Sequence, residues 1–258
     1  MTKTISSKLA ISSKLFLVLV IALSAGCAPA VDLESIGRFQ TAEEEFSASE
    51  TDADFLRVAS LYQEILDSGL RSGAVLYNQG NAFARAQEHG RALAAYRQSQ
   101  RIRPRDPHLD ANLRSCLSAL GVPASKRSFW DHVFFWKPWL SLAESMWLAT
   151  GLLAATLVSL LVLQAKPQRS SVVLGILTII AGGSVAFDWY QDERTQHGIV
   201  VAETIARKGN SEGYAAAFSD GLQEGLEFVV LERRGDWLRI QLPGTGEGWI
   251  PSRQAVVY

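Results

Sequence analysis

The apolar positions of this chain fall into three dense blocks and two patterned stretches. Leu15 to Ala25 reads LFLVLVIALSA. Ser145 to Ala165 holds 21 residues without a formal charge, and Ser170 to Phe187 holds 18 more. A helix needs roughly 17 to 25 apolar residues to cross a bilayer. The second and third blocks therefore predict a transmembrane pair over 145–165 and 170–187, joined by a loop at 166–169. The competing reading is a pair of buried core helices. Before this pair the pattern is helical: Phe55, Val58, Ala59, Tyr62 and Ile65-Leu66 recur at i, i+3, i+4 and i+7. After it the period shortens. Ile199–Val201, Phe228–Leu231, Trp237–Ile240, Gly248–Ile250 and Ala255–Val257 are short β-rich runs, with turn clusters at Arg233–Asp236 and Pro243–Gly246. Several short strands so close together predict a small barrel or sandwich over 195–258.

Charge fixes the expected orientation. Lys3, Lys8 and Lys14 precede the first block and no acid accompanies them, the layout of a secretory leader over 1–30. Ala28-Pro29-Ala30 fits cleavage after Ala30. Ser24-Ala25-Gly26-Cys27 loosely resembles a lipobox, which would lipidate Cys27, and a retained anchor is the third outcome. All three send residue 31 onward across the membrane. The 166–169 loop carries Lys166 and Arg169 and no acid, so it is expected on the cytoplasmic side. Both flanks then lie on the outer side of the cytoplasmic membrane. The run FWDHVFFWKPWL, within 128–141, predicts an aromatic segment at the headgroup level, where a ring can sit in the apolar phase with its polar edge in water.

Residues 36–122 are rich in Ala, Leu, Gln, Glu and Arg, with Pro104 and Pro107 as late prolines. A period of 34 is visible. One unit runs from Leu76-Tyr77-Asn78-Gln79-Gly80-Asn81-Ala82-Phe83 through Gly90-Arg91-Ala92-Leu93-Ala94-Ala95-Tyr96 to Arg103-Pro104. It resembles a tetratricopeptide repeat (TPR). The resemblance implies that Gly80 lets two helices approach, that Ala92 and Tyr96 fill the crossing, and that Pro104 ends the second helix. Gln79 and Ser99 depart from the family, which prefers Leu and Ala there. Shifting by 34 places Tyr62 under Tyr96, Val58 under Ala92 and Phe46 under Gly80, a degenerate unit at about 39–72. A further helix over 107–120 caps the stack. The resemblance implies an all-α solenoid whose concave face binds a partner protein through Tyr77, Asn78, Asn81, Ala84 and Arg85. Asparagines bond extended backbone and an arginine grips a carboxylate. The other reading of Asn78 and Asn81 is as bonds between neighbouring helices.

The last region resembles a bacterial SH3-type domain. Gly225, the strand at Phe228–Leu231, Trp237–Ile240 and Gly248-Trp249-Ile250 carry the likeness, with Ala206–Gly209 in the early strand and loop. The resemblance implies a small all-β barrel that binds proteins or cell-wall peptides. Trp237 and Trp249 are either its ligand surface or structural rings.

Composition narrows the classes. A net charge of −1 argues against a basic nucleic-acid binder. Mean hydropathy of +0.08 is an average over charge-free blocks and charged outer regions. Removing the three leader lysines from −1 leaves −4 for the chain from residue 31. Two cysteines exclude a disulfide scaffold. Cys116 reads as a buried small residue, and with Cys27 removed or lipidated no disulfide is expected. His89, His108, His132 and His197 show no metal-ligand spacing, and no Gly-x-Ser-x-Gly, His-Glu-x-x-His or phosphate-loop motif occurs. The expectation is a non-enzyme with no cofactor and no metal.

In order, the parts are a leader, a degenerate and a clear TPR, an aromatic segment, two spans around a basic loop, and an SH3-type domain. That order resembles the BatE-type family of the Bacteroides aerotolerance (Bat) operons. The resemblance implies a multidomain, multi-pass membrane scaffold in an envelope-stress complex. Its expected partners are von Willebrand factor A-domain membrane proteins and other TPR proteins. The alternative is a peptidoglycan-binding module acting through the SH3-like domain.

Overall fold

The computed structural model describes residues 33–122, 136, 139–162 and 169–258. The expected leader with Cys27 and Ala30, residues Phe129–Phe135 and residues 166–168 of the expected loop lie outside them. Across the described residues the chain is mostly helical, with seven α-helices and one five-stranded antiparallel sheet.

Five helices come first: α1 (Leu33–Ala48), α2 (Asp52–Asp67), α3 (Gly73–Arg85), α4 (His89–Ile102) and α5 (Pro107–Ala119). Local chemistry sets several boundaries. Thr51 Oγ1 accepts the Asp54 N–H at 3.2 Å and the Asp54 carboxylate accepts the Thr51 N–H at 3.1 Å, a reciprocal cap on α2. Asp106 caps α5 by accepting from the His108 and Leu109 N–H groups, with Pro107 in the first turn. Each helix packs on the next. At the 34-residue offset, Val58 and Ala92 are both buried, as are Tyr62 and Tyr96. Gly80 is required by its neighbour, since a Cβ there would lie 2.5 Å from Tyr96 Cε1. Gln79 and Ser99 are polar yet buried. Each is satisfied: Gln79 Nε2 donates to Gln63 Oε1 at 2.9 Å, and Ser99 Oγ donates to the Gly73 carbonyl at 2.7 Å.

Two long helices follow, α6 (Leu142–Val162) and α7 (Arg169–Arg194). Stretches of 19 residues in α6 and 21 in α7 are long and apolar enough to cross a membrane, and only 6% of either is buried. The core helix of a soluble protein would be mostly covered. The pair is joined by polar contacts: Thr156 Oγ1 lies 2.9 Å from Thr178 Oγ1, and Ser159 Oγ 2.8 Å from Ser171 Oγ. α7 extends well past Phe187, where the charge-free run ends. Apolarity measures the span, whereas the helix continues because each added residue gains a backbone bond. Exposed Trp189 and Tyr190 therefore ride on the helix.

The sheet holds β1 (Gln196–Val200), β2 (Glu227–Arg234), β3 (Trp237–Leu242), β4 (Gly246–Pro251) and β5 (Ala255–Val257) in the order β4-β3-β2-β1-β5. Gly235, at φ +56°, turns β2 into β3. The arm between β1 and β2 returns to β4 through mutual Arg207 and Trp249 backbone bonds of 2.8 Å.

Adjacent strand residues point to opposite faces. Val200 enters the sheet's own core with Phe228, Leu238, Ile240 and Ile250. Ile199 points the other way, into a cluster with Ala92, Leu93, Tyr96 and Leu109 of the helices. Val256 packs on that helical side, while Ala255 and Val257 pack on the sheet core. Polar contacts flank this joint. The Gly90 N–H donates to Glu224 Oε1 at 2.6 Å, and Arg97 pairs with Glu227 at 2.7 Å. Gly225, at φ +86°, lies so near Leu120 that a Cβ would approach its Cδ1 to 2.7 Å.

Candidate functional site

A cavity of about 190 Å³ opens between α1, α2 and α3, lined by Glu43, Phe46, Ser47, Tyr62, Asn78 and Asn81. Phe46 and Tyr62 supply apolar surface; Glu43, Ser47 and Asn78 supply polar edges. Asn78 Nδ2 donates to Glu43 Oε1 at 2.8 Å, tying α3 to α1. Burial, and secondarily the Glu43 charge, push the Tyr62 hydroxyl up to about 12. Tyr62 therefore stays a neutral phenol at physiological pH.

The five residues expected on a partner-binding face divide in two. Asn78 lines the cavity. Asn81 also reaches it, but its Oδ1 accepts from Tyr96 Oη at 2.8 Å and from Asn112 Nδ2 at 2.9 Å. Asn112 Nδ2 also donates to Tyr77 Oη at 3.2 Å, and the Tyr77 and Tyr96 rings lie 6.0 Å apart. Tyr77, Asn81, Tyr96 and Asn112 thus form a polar seam between α3, α4 and α5. Ala84 packs against the cluster beneath that seam. Arg85 lies 5.9 Å from the centre of the Phe55 ring. Both asparagines thus bond between helices, Asn81 within the seam and Asn78 at the cavity rim.

Burial pushes the Cys116 thiol up to about 11, so its thiolate population is negligible at neutral pH. Trp249 is 9% exposed, and the Arg234 guanidinium lies 5.3 Å from its ring centre. Trp237 is half-buried. Among the described residues, no group of three or more His, Cys, Asp and Glu side chains is placed to hold a metal ion.

No protein-family model, curated protein or solved structure matches this chain.

Sequence reasoning did not name Glu43, Phe46, Ser47 and Tyr62 as site residues. The 34-residue shift held a signal for one of them, since it places Phe46 under Gly80. Where Gly80 admits the Tyr96 ring, Phe46 instead packs edge-on against Phe55 with centroids 5.4 Å apart and leaves a hollow beside it.

Proposed function

We propose that this protein is a non-catalytic scaffold of the BatE type, anchored by a two-helix hairpin in the cytoplasmic membrane. Its helical stack is a TPR-like solenoid and its sheet an SH3-like barrel, both on the outer side. The groove over α1 and α3 grips an extended segment of a partner protein, with von Willebrand factor A-domain membrane proteins as the candidates.

The observation that carries this reading is the cavity itself. It has apolar walls, with a carboxylate and a side-chain amide at its edge. That chemistry suits recognition of a peptide through side-chain insertion and backbone hydrogen bonds. The shared core around Ile199 supports a hairpin with both ends on one face of the membrane, because the segments before α6 and after α7 pack together. The basic residues between the spans support placing the loop in the cytoplasm.

The test is a groove-filling variant. Ser47→Arg places a long cation in the cavity from an exposed position on α1 and leaves every member of the seam unsubstituted. Full-length protein carrying Ser47→Arg should lose co-purification of a von Willebrand-type partner that the parent retains. Undiminished recovery removes the groove from this account.

A further inference from the structure

A second cavity, of about 430 Å³, lies where the α4–α5 turn meets the start of α6. Its charged lining comes from Arg103, Arg105 and Asp106 of the turn and from Glu144 of α6. Arg105 pairs with Glu144, which brings the basic turn Arg103-Pro104-Arg105 to the first turn of an apolar span. Exposed Trp139 and Trp147 flank that turn, and Trp side chains favour the headgroup level.

The hydrogen-bonding capacity left over in this cavity is lopsided. Arg103 uses one amino group on Asp106, at 2.5 Å, and Arg105 one on Glu144, out of five N–H donors on each guanidinium. Asp106 is closed off from the cavity: it caps α5, pairs with Arg103, and its side chain is only 9% exposed. Glu144 accepts from the Ser141 N–H at 2.9 Å, from Ser141 Oγ at 3.1 Å and from Arg105, which leaves acceptor room on a carboxylate that is 38% exposed. Among side chains, the lining therefore offers many donors of fixed fork geometry, one residual carboxylate acceptor and no net charge. Two guanidinium forks match a phosphate, and the remaining carboxylate acceptor matches an ammonium.

We infer that this cavity is a binding site for a phosphoethanolamine lipid headgroup, its phosphate on Arg103 and Arg105 and its ammonium on Glu144, with the acyl chains lying along α6. The inference rests on α6 lying in a membrane and not on the partner groove, which is on other helices. A neutral lining gives no long-range preference for anionic lipids. A choline headgroup has the same net charge, but its nitrogen has no N–H to donate.

Native mass spectrometry of the full chain in detergent micelles tests this. The probes are phosphatidylethanolamine, phosphatidylcholine, phosphatidylglycerol and water-soluble O-phosphoethanolamine. Phosphatidylethanolamine should bind roughly tenfold more tightly than phosphatidylcholine, the worth of one hydrogen bond to a charged group. Glu144→Gln should bring it down to the phosphatidylcholine level and leave phosphatidylcholine unchanged. Arg105→Gln should weaken both. Parent-like thermal unfolding of the variants without lipid would tie these losses to the site. Equal binding of the two zwitterionic lipids, tightest binding of phosphatidylglycerol, or a Glu144→Gln variant that keeps the preference would each overturn the proposal. So would O-phosphoethanolamine binding as well as the lipid, which would remove the bilayer as the source.

Discussion

Ile199→Ala should loosen the helices as well as the sheet that carries it. Ile199 is fully buried and lies among Ala92, Leu93, Tyr96 and Leu109, all outside its own sheet. Truncating such a side chain costs about 2–5 kcal/mol, through lost transfer energy and the cavity left behind. Tyr96 is held by its hydrogen bond to Asn81 and cannot swing in to fill the gap. At the lower bound, about 2 kcal/mol, amides protected by the joint should exchange roughly thirtyfold faster. Hydrogen exchange read by mass spectrometry should show this in α4 and α5 as well as in β1. Val200→Ala is the matched control, one residue away and facing the sheet core. It should speed exchange in the strands and spare α4 and α5. If Ile199→Ala leaves α4 and α5 at the parent rate, the shared core contributes nothing and the two units are energetically independent.

Gly80→Ala should lower the thermal midpoint. The new Cβ would sit 2.5 Å from Tyr96 Cε1, and overpacking of about 1–3 kcal/mol outweighs the roughly 1 kcal/mol gained in helix propensity; an unchanged midpoint would mean that the ring can retreat. Hydrogen bonds from Thr51 hold the Asp54 carboxyl below its ordinary value of 3.8. Its stabilisation is therefore present above 3.8 and lost as pH falls through the lower folded value. Asp54→Asn should reduce the urea midpoint at neutral pH, and the gap from the parent should close in acid. Cys116 should resist a maleimide at pH 8 in the folded protein, being buried with its thiol near 11, and react once urea unfolds α5; peptide mapping reads both states. Thr156→Val should weaken the hairpin by about 0.6–2 kcal/mol through loss of the bond to Thr178, measured as easier separation of α6 and α7 in mixed micelles.

Much of the architecture is local and so was legible. The apolar stripe of α2, the 34-residue spacing of Tyr62 and Tyr96, the two charge-free spans and the Gly-centred turn at Gly235 each record the environment of their own segment. The polar departures at Gln79 and Ser99 were visible as oddities, but their hydrogen-bond partners are 16 and 26 residues away in the chain and had no local signature. The groove was half legible. Asn78 was named from its position on α3, whereas Glu43, Phe46, Ser47 and Tyr62 became site residues only once α1 and α2 packed beside it.

By itself the sequence determined which segments are helical, which are extended and which are apolar enough to enter a bilayer, because periodicity and side-chain transfer energy act residue by residue. Tertiary structure alone decided that the segments before and after the hairpin share a core. Alternation marks β1 as having two faces but cannot say what covers the second. Ile199 meets Leu93 and Leu109 about a hundred residues back in the chain only after α6 and α7 have returned the backbone to its starting point. Glu144, 39 residues along the chain from Arg105, likewise meets it only when α6 starts beside the α4–α5 turn, and with that contact comes the second cavity. Both are contacts between distant segments, and the chain acquires them only on folding.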